Sequence, residues 1–440
     1  MAYTILFINF LAYALLFVRQ FWHDGWKISA KSTLIIAWSI IAFMGWFTFT
    51  TGIYQNTFGY RNPERLSIIP YIFSFLMFLL LLKPLDPKIQ TEIVVTRFSN
   101  RRIESMIYLL SIVLIITLLF QLYMNISSFS FAVLDDYGEM YRERSTGEVT
   151  RDFSSPILSF VYDKSIAIGR ILTPIVYSLL FMAIVGNRRL KKLKIGLVII
   201  ITIEILLTKL VSANRGGIFF SAMTLTFFVA TFYNYFSPKI KRLVWIVFGT
   251  GFIALSIIIS IVSVSRFDGD SVESNNQTLR YFGEPFPNLG YNIWGKEIRH
   301  PNGIRFFPST SESLGLFKKK EFRGRNSKFT YWERYVGIPM LNFKTIFGDL
   351  YIEFGVIGAF LFLAVAYFII MFLIRRNRGI VSRVTMQSLW YDLVIFGIFG
   401  NSIDEIWITN LFYTIAMLLL LDIFVFSHSS QTSKLCWSWK

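Results

Sequence analysis

Residues 349–374 read DLYIEFGVIGAFLFLAVAYFIIMFLI, and Arg375 and Arg376 follow at once. After Glu353 the run carries no charge until Arg375. A hydrocarbon core about 30 Å thick requires about 20 successive apolar residues from an α-helix. The stretch therefore predicts a membrane span whose basic end faces the cytoplasm. Similar runs occupy 3–22, 33–53, 66–85, 105–123, 166–186, 195–211, 216–236, 243–264, 385–402 and 407–427. The expected fold is an all-α polytopic membrane protein of about eleven spans.

Composition agrees. Of 440 residues, 54% are hydrophobic and 16% charged, against roughly 45–50% and about 25% in soluble domains. Mean hydropathy is +0.53. The 46 Phe, 21 Tyr and 11 Trp are read chiefly as lipid-facing rings and interfacial belts. A minority class would be platforms for sugar faces. The single cysteine, Cys436, excludes a disulfide framework, and His23, His300 and His428 lie far apart. No metal-binding, phosphate-loop or dinucleotide motif occurs where it could act. No cofactor is expected, and no nucleic acid. The first apolar run, Tyr3 to Phe21, lacks a basic start and a small-residue cleavage site, so it reads as a retained span.

Lys and Arg crowd the loops at 83–102, 188–194, 239–242 and 375–383. These loops alternate with less basic ones, so the positive-inside rule places the N-terminus outside and the C-terminus inside. One integral membrane domain then covers 1–440, with extracytoplasmic loops at 124–165 and 265–338. The second loop is basic, from Arg266 and Arg280 through Arg305 and Lys318 to Arg334. Much of that charge is ordinary solvated surface, and some of it suits an anionic partner.

Charges inside spans are costly and mark bundle interiors or wet cavities. Arg170, Glu204, Asp392 and Asp422 are of this kind. Structural pairing is the first explanation for them, with a proton relay as the functional alternative. In Val211-Ser212-Ala213-Asn214-Arg215-Gly216-Gly217 an arginine stands at the start of a helix, where free N–H groups and the dipole favour anions. A guanidinium there could fork onto a diphosphate, or it could snorkel to headgroups. Arg266 and Arg280 are further anion candidates, each balanced against plain surface charge. Glu139 and Glu143 share a face if that segment is helical, and either salt bridges with Arg142 and Arg144 or base chemistry would explain them. Asp349 and Glu353 are likewise one turn apart. They are either dipole-favoured acids at a helix start or a general base.

Asn342–Gly358 reads NFKTIFGDLYIEFGVIG. It resembles the C-terminal signature of the O-antigen (oligosaccharide repeat unit) polymerases of the Wzy type: Asn-x-x-Thr, a small gap, an aromatic, then an acid-Phe-Gly-x-x-Gly entering a span. The matching positions are Asn342, Thr345, Tyr351, Glu353, Phe354, Gly355 and Gly358. Asn214-Arg215-Gly216 resembles the Ser-x-Arg-Gly turn of the same group, and the long loop carrying Tyr281-Phe282 fits it too.

The resemblance implies a metal-independent membrane glycosyltransferase of the GT-C kind in the bacterial plasma membrane. Its donor and acceptor would be polyprenyl-diphosphate-linked oligosaccharides on the outer leaflet. A chain-length regulator and a flippase would be its partners, and membrane lipid its solvent. The leaving diphosphate needs positive charge, for which Arg215, Arg266, Arg280 and Arg170 are the candidates. The acceptor hydroxyl needs a base, for which Glu353, Asp349, Glu139 and His300 are the candidates in that order. The related O-antigen ligases usually carry a histidine where Leu341 stands here, which favours polymerase over ligase. A flippase or transporter is the competing class, kept in play by Glu204 and Asp392 although no paired halves are visible.

Overall fold

The computed structural model describes residues 1–54, 66–85, 101–127, 155–186, 215–246, 279–318, 324–340, 343–376, 380–400 and 403–421, with a few isolated positions besides. The α-helices among these residues include α1 (Ala2–His23), α2 (Ala30–Thr50), α3 (Ile69–Leu82), α4 (Arg101–Ser127), α5 (Pro156–Gly186), α6 (Arg215–Phe232), α7 (Pro285–Asn288), α8 (Pro308–Ser313), α9 (Gly324–Val336), α10 (Thr345–Arg376), α11 (Ile380–Phe396) and α12 (Glu405–Leu421). Among the described residues there is no strand.

Five of these helices are long and apolar enough to cross a membrane: α1, α2, α5, α10 and the Ser105–Met124 part of α4. The outward face of α10 shows why lipid is required. Ile357, Leu361, Val365, Phe368 and Phe372 are each more than half exposed. Their spacing of three and four residues makes one continuous apolar stripe along the helix. Such a stripe exposed to water would be a large unpaid hydrophobic surface. The protein is membrane-embedded.

Local chemistry sets the helix ends. Ser29 and Ser32 form a reciprocal capping box at the start of α2, with Ser32 Oγ accepting from the Ser29 N–H at 2.8 Å. Asp24 accepts from Gln20 Nε2 at 2.7 Å and from Ser29 Oγ at 2.8 Å, which ties the α1–α2 hairpin together. The last carbonyls at the end of α3 lack intrahelical donors. Leu81 O is met by Trp390 Nε1 at 2.7 Å, and Pro84 O by Gln387 Nε2 at 3.0 Å.

Trp38 is the hub of the core. It is fully buried, and its ring lies 4.8 Å from Phe78, 6.0 Å from Phe286 and 5.5 Å from Phe347. Its Nε1 donates to Val394 O at 3.3 Å. Trp38 lies roughly 12 Å along α2 from Ala30, at 1.5 Å rise per residue, which is near mid-helix. Phe286 and Phe347 therefore reach the middle of the bundle.

The region expected as a long hydrophilic loop is thus partly internal. Its segment 283–293 inserts between α2, α3 and α10, with Phe286, Asn288, Leu289 and Ile293 fully buried. Glycine permits the approach: a Cβ on Gly283 would fall on Thr48 Oγ1, and one on Gly290 would fall on the Tyr71 hydroxyl. The polar groups of the insert are satisfied within the protein. Asn288 Oδ1 accepts from Tyr54 Oη at 2.6 Å, and Asn288 Nδ2 donates to Phe343 O at 2.6 Å. Irregular backbone at this depth is tolerated only where protein buries it.

Three of the boundary differences bear on the fold. The helix at 166–186 begins earlier, at Pro156, because Asp163, Lys164 and Arg170 stay on its exposed side. The span at 385–402 stops at Phe396, where a turn over 397–400 takes over. The span at 349–374 is a broken helix, since Gly355 has φ 69° and ψ −173° inside α10. Residues 356–376 alone cover roughly 31 Å at 1.5 Å per residue, so residues 345–354 are a separate short segment. The spans expected at 195–211 and 243–264 lie almost wholly outside the described residues, as do Glu204 and Asp422.

Candidate functional site

The site is built on the short segment 345–354. Thr345 sits at positive φ (57°), fully buried, and its Oγ1 accepts from the Gly348 N–H at 3.3 Å. A threonine oxygen turned onto the third following N–H is the chemistry of a helix N-cap. The backbone just before and after Thr345 is stitched to the turn that ends α11. Lys344 N donates to Phe399 O at 3.0 Å, and Ile346 N donates to Gly397 O at 2.6 Å. Two helix ends thus meet inside the bundle and fix where Asp349 stands. A Cβ on Gly400 would lie 3.3 Å from Asp349 Oδ2.

Asp349 and Glu353 share one face, and that face meets Arg305. Arg305 Nη2 lies 2.6 Å from Asp349 Oδ1, and Arg305 Nε lies 2.8 Å from Glu353 Oε2. Lys344 Nζ stands 3.7 Å from Asp349 Oδ1. Two cations and two anions balance in a volume almost closed to solvent, the side chain of Glu353 being 0% exposed and that of Arg305 8%. Burial opposes the charged guanidinium, and Asp349 and Glu353 more than offset it, so the pKa of Arg305 is raised above its ordinary value. The planar fork of arginine lets one residue serve both carboxylates.

Glu353 also organises the segment that delivers Arg305. Its Oε1 accepts from the Gly303 N–H at 2.8 Å and from the Arg305 N–H at 3.2 Å. Its main-chain oxygen accepts from the Asn302 N–H at 2.9 Å. On the far side, Glu405 at the start of α12 accepts from the N–H groups of Ser309 at 3.1 Å and Thr310 at 2.5 Å. The stretch 302–310 is held between Glu353 on α10 and Glu405 on α12.

His300 lies at the break in α10. Its Nδ1 is 2.9 Å from Ile352 O, and its Nε2 would lie 3.4 Å from a Cβ on Gly355. Its ring stands edge-on to Tyr351, at 6.0 Å between centroids, and Tyr351 stacks on Trp294 at 4.6 Å. Gly358 has a different role from Gly355: a Cβ there would lie 2.6 Å from Phe354 Cβ.

Of the residues singled out in the sequence, Asp349, Glu353, His300, Thr345, Tyr351 and Gly355 come together here. Arg280, one residue before Tyr281, pairs instead with the buried Glu284, and the Tyr281 ring lies 4.0 Å from Phe343. Arg170 is on the exposed side of α5. Arg215 heads α6, as the free-amide argument expected, and its side chain is outside the described residues. Glu139, Arg266 and Asn342 lie outside them too.

Sequence reasoning passed over Lys344 as part of the motif and counted Arg305 only as one basic loop residue. Arg305 follows Asn302-Gly303, a turn signal, and is the nearest downstream cation to His300; nothing local marks it as internal. Among the described residues no three His, Cys, Asp or Glu side chains are grouped to hold a metal ion. Comparison of the chain with protein-family models, with curated proteins and with solved structures finds no match.

Proposed function

We propose that this chain is a membrane glycosyltransferase of the GT-C kind, with about eleven spans, that polymerises polyprenyl-diphosphate-linked oligosaccharide repeat units. The product is O antigen or a related surface polysaccharide, made at the outer leaflet of the bacterial plasma membrane, with the N-terminus outside and the C-terminus inside. One observation carries this reading. The motif that resembles the polymerase signature is where a broken helix starts inside the bundle, with Asp349 and Glu353 ion-paired to Arg305 from the stretch 302–310.

The chemistry suits such a place. The donor sugar leaves its lipid diphosphate as the anomeric C–O bond breaks, and fixed positive groups stabilise the departing charge. Arg215 and Arg266 are the proposed diphosphate contacts, and Arg280 could join them only by leaving Glu284. Arg305 and Lys344 are committed to carboxylates and hold the floor of the site. Orienting two lipid-linked glycans in one site converts a bimolecular step into a local one.

The test uses purified protein in nanodiscs with lipid-diphosphate-linked repeat units and no added ATP or metal. The expected product is a ladder of lipid-linked multiples, reduced by about 10²–10³ in rate in Arg215→Ala. A ladder unchanged in Arg215→Ala, Arg266→Ala and Arg280→Ala removes the clamp assignment and leaves the polymerase reading standing.

A transporter is the second reading, favoured by the broken α10 and by the intramembrane pair of Thr224 Oγ1 and Asp392 Oδ1 at 2.6 Å. Discontinuous helices are a habit of carriers. Absence of any ladder, with lipid-linked units crossing a vesicle bilayer, would support it.

A further inference from the structure

We infer that His300 accepts the proton of the incoming sugar hydroxyl, and that the break at Gly355 holds its ring in the tautomer that can do so. This rests on the glycosyl-transfer reading above and names the base for that same site.

The last carbonyls of a helical segment lack intrahelical donors. The non-helical Gly355 creates such an end in mid-helix. Two of the carbonyls there are taken by residues 300 and 302: Ile352 O by His300 Nδ1 at 2.9 Å, and Glu353 O by the Asn302 N–H at 2.9 Å. A carbonyl can only accept, so Nδ1 carries the proton. In the neutral ring Nε2 is then a bare lone pair. Among the described residues Nε2 has no hydrogen-bond partner. It faces the space that a side chain at position 355 would fill, 3.4 Å from the missing Cβ. Tyr351, edge-on to the imidazole and backed by Trp294, limits its rotation.

The competing acids are less able to act. Glu353 is 0% exposed and its carboxylate already accepts from Gly303 N–H, Arg305 N–H and Arg305 Nε. Asp349 is held by Arg305 and Lys344. His300 is half-buried, and its Nε2 has no hydrogen-bond partner among the described residues.

The step balances. The acceptor hydroxyl gives its proton to Nε2 as its oxygen forms the bond to the donor anomeric carbon. The anomeric C–O bond to diphosphate breaks, and its electron pair leaves on the diphosphate. The imidazolium then releases its proton to water. A base so placed contributes typically 10²–10⁴-fold. The ionisable groups around it are Lys296, Glu297, Arg299 and Arg305 on its own segment, Asp349, Tyr351 and Glu353 on α10, and Glu333, Arg334 and Tyr335 on α9, whose Val336 O accepts from Arg299 N at 3.0 Å.

Two measurements on the full chain in nanodiscs test this. With His23→Gln and His428→Gln only one histidine remains, and ¹⁵N labelling reads its tautomer directly. A protonated Nδ1 with bare Nε2 is expected; the opposite tautomer overturns the positional claim whether or not the protein polymerises anything. His300→Asn keeps an amide to donate to Ile352 O and removes the base. It should retain thermal stability and binding of lipid-linked glycan, lose about 100-fold or more in elongation, and lose the acid limb of the pH–rate profile. A wild-type rate or an unchanged acid limb in His300→Asn overturns the role of His300 while the polymerase reading stands. A wild-type protein that elongates nothing overturns that reading and the proton transfer with it, and the tautomer result still decides the geometry.

Discussion

Arg305 Nε meets Glu353 Oε2 at 2.8 Å, while Glu353 Oε1 accepts the N–H groups of Gly303 and Arg305 itself. A single carboxylate thus binds both the side chain and the backbone of the segment that brings its counter-ion. Loop and helix cannot be separated without stranding a charge on each side.

Arg305→Met should therefore be among the most destabilising single changes in the chain. It leaves Glu353 fully buried and Asp349 nearly so, with Lys344 beside Asp349 alone of the two. Removing one member of a buried pair costs about 3–5 kcal/mol. Arg305→Met combined with Glu353→Gln should recover most of the loss, because Asp349 keeps Lys344 and one anion then balances one cation. Thermal unfolding in nanodiscs reads both. A loss below about 1 kcal/mol for Arg305→Met, the size typical of surface pairs, would mean that the cluster is wet.

The two motif glycines should fail differently. Gly355 has φ 69° and ψ −173°, a region almost closed to other residues, where occupancy costs about 1–3 kcal/mol. Gly355→Ala should lose that much stability and place a methyl group in contact with His300 Nε2. Gly358→Ala has no such dihedral penalty but must push Phe354 off its stack on Phe362, whose centroids lie 5.1 Å apart. Fluorescence of Trp294, which stacks on the His300 neighbour Tyr351, should respond to the first change and not to the second. Equal responses would contradict the separation of roles.

Glu405→Ala should loosen one segment without unfolding the bundle. Its carboxylate holds the N–H groups of Ser309 and Thr310, and its own N–H donates to Phe306 O at 3.2 Å. The charged acceptor is lost and the backbone donor is kept. Hydrogen bonds to a charged group contribute about 1.5–3 kcal/mol. Hydrogen exchange should quicken over 306–313 and stay slow in α10 and α12. Uniform quickening across all three would show that Glu405 supports the bundle and not the segment.

How far the residues spoke for themselves depends on periodicity. The apolar run from Phe354 to Ile374 announces a span because every residue there prefers lipid. The i,i+4 relation of Asp349 and Glu353 placed both acids on one face, as found. The insertion at 283–293 was hidden for the opposite reason: Asn288, Asn292, Gly283 and Gly290 read as turn chemistry. They are buried because Tyr54, Tyr71 and Thr48, distant in the chain, match them atom for atom. Arg305 belongs to the same class, since its partners are supplied by a helix that begins forty residues later. Long-range complementarity of this kind leaves no local pattern.

Asn288 offers the sharpest test of that complementarity. Its side chain is fully buried, accepts from Tyr54 Oη at 2.6 Å and Asn292 Nδ2 at 2.8 Å, and donates to Phe343 O at 2.6 Å. Asn288→Leu keeps the branched shape, at somewhat larger volume, and abandons all three bonds. Each buried group left unsatisfied costs about 1–3 kcal/mol, so a loss of about 3 kcal/mol or more is expected. Tyr54→Phe should cost less, because it removes one partner. The two changes together should cost less than their sum, since the Tyr54–Asn288 bond can be lost only once. Ser388→Ala is the matching control: Ser388 Oγ is equally buried but has no hydrogen-bond partner among the described residues. Removing it should change stability little, or raise it. If Asn288→Leu proved as mild as Ser388→Ala, the inserted segment would be held by its apolar contacts with Trp38 and Phe347 alone, and the connection from Asn288 to the backbone just before Lys344 would carry no part of the site.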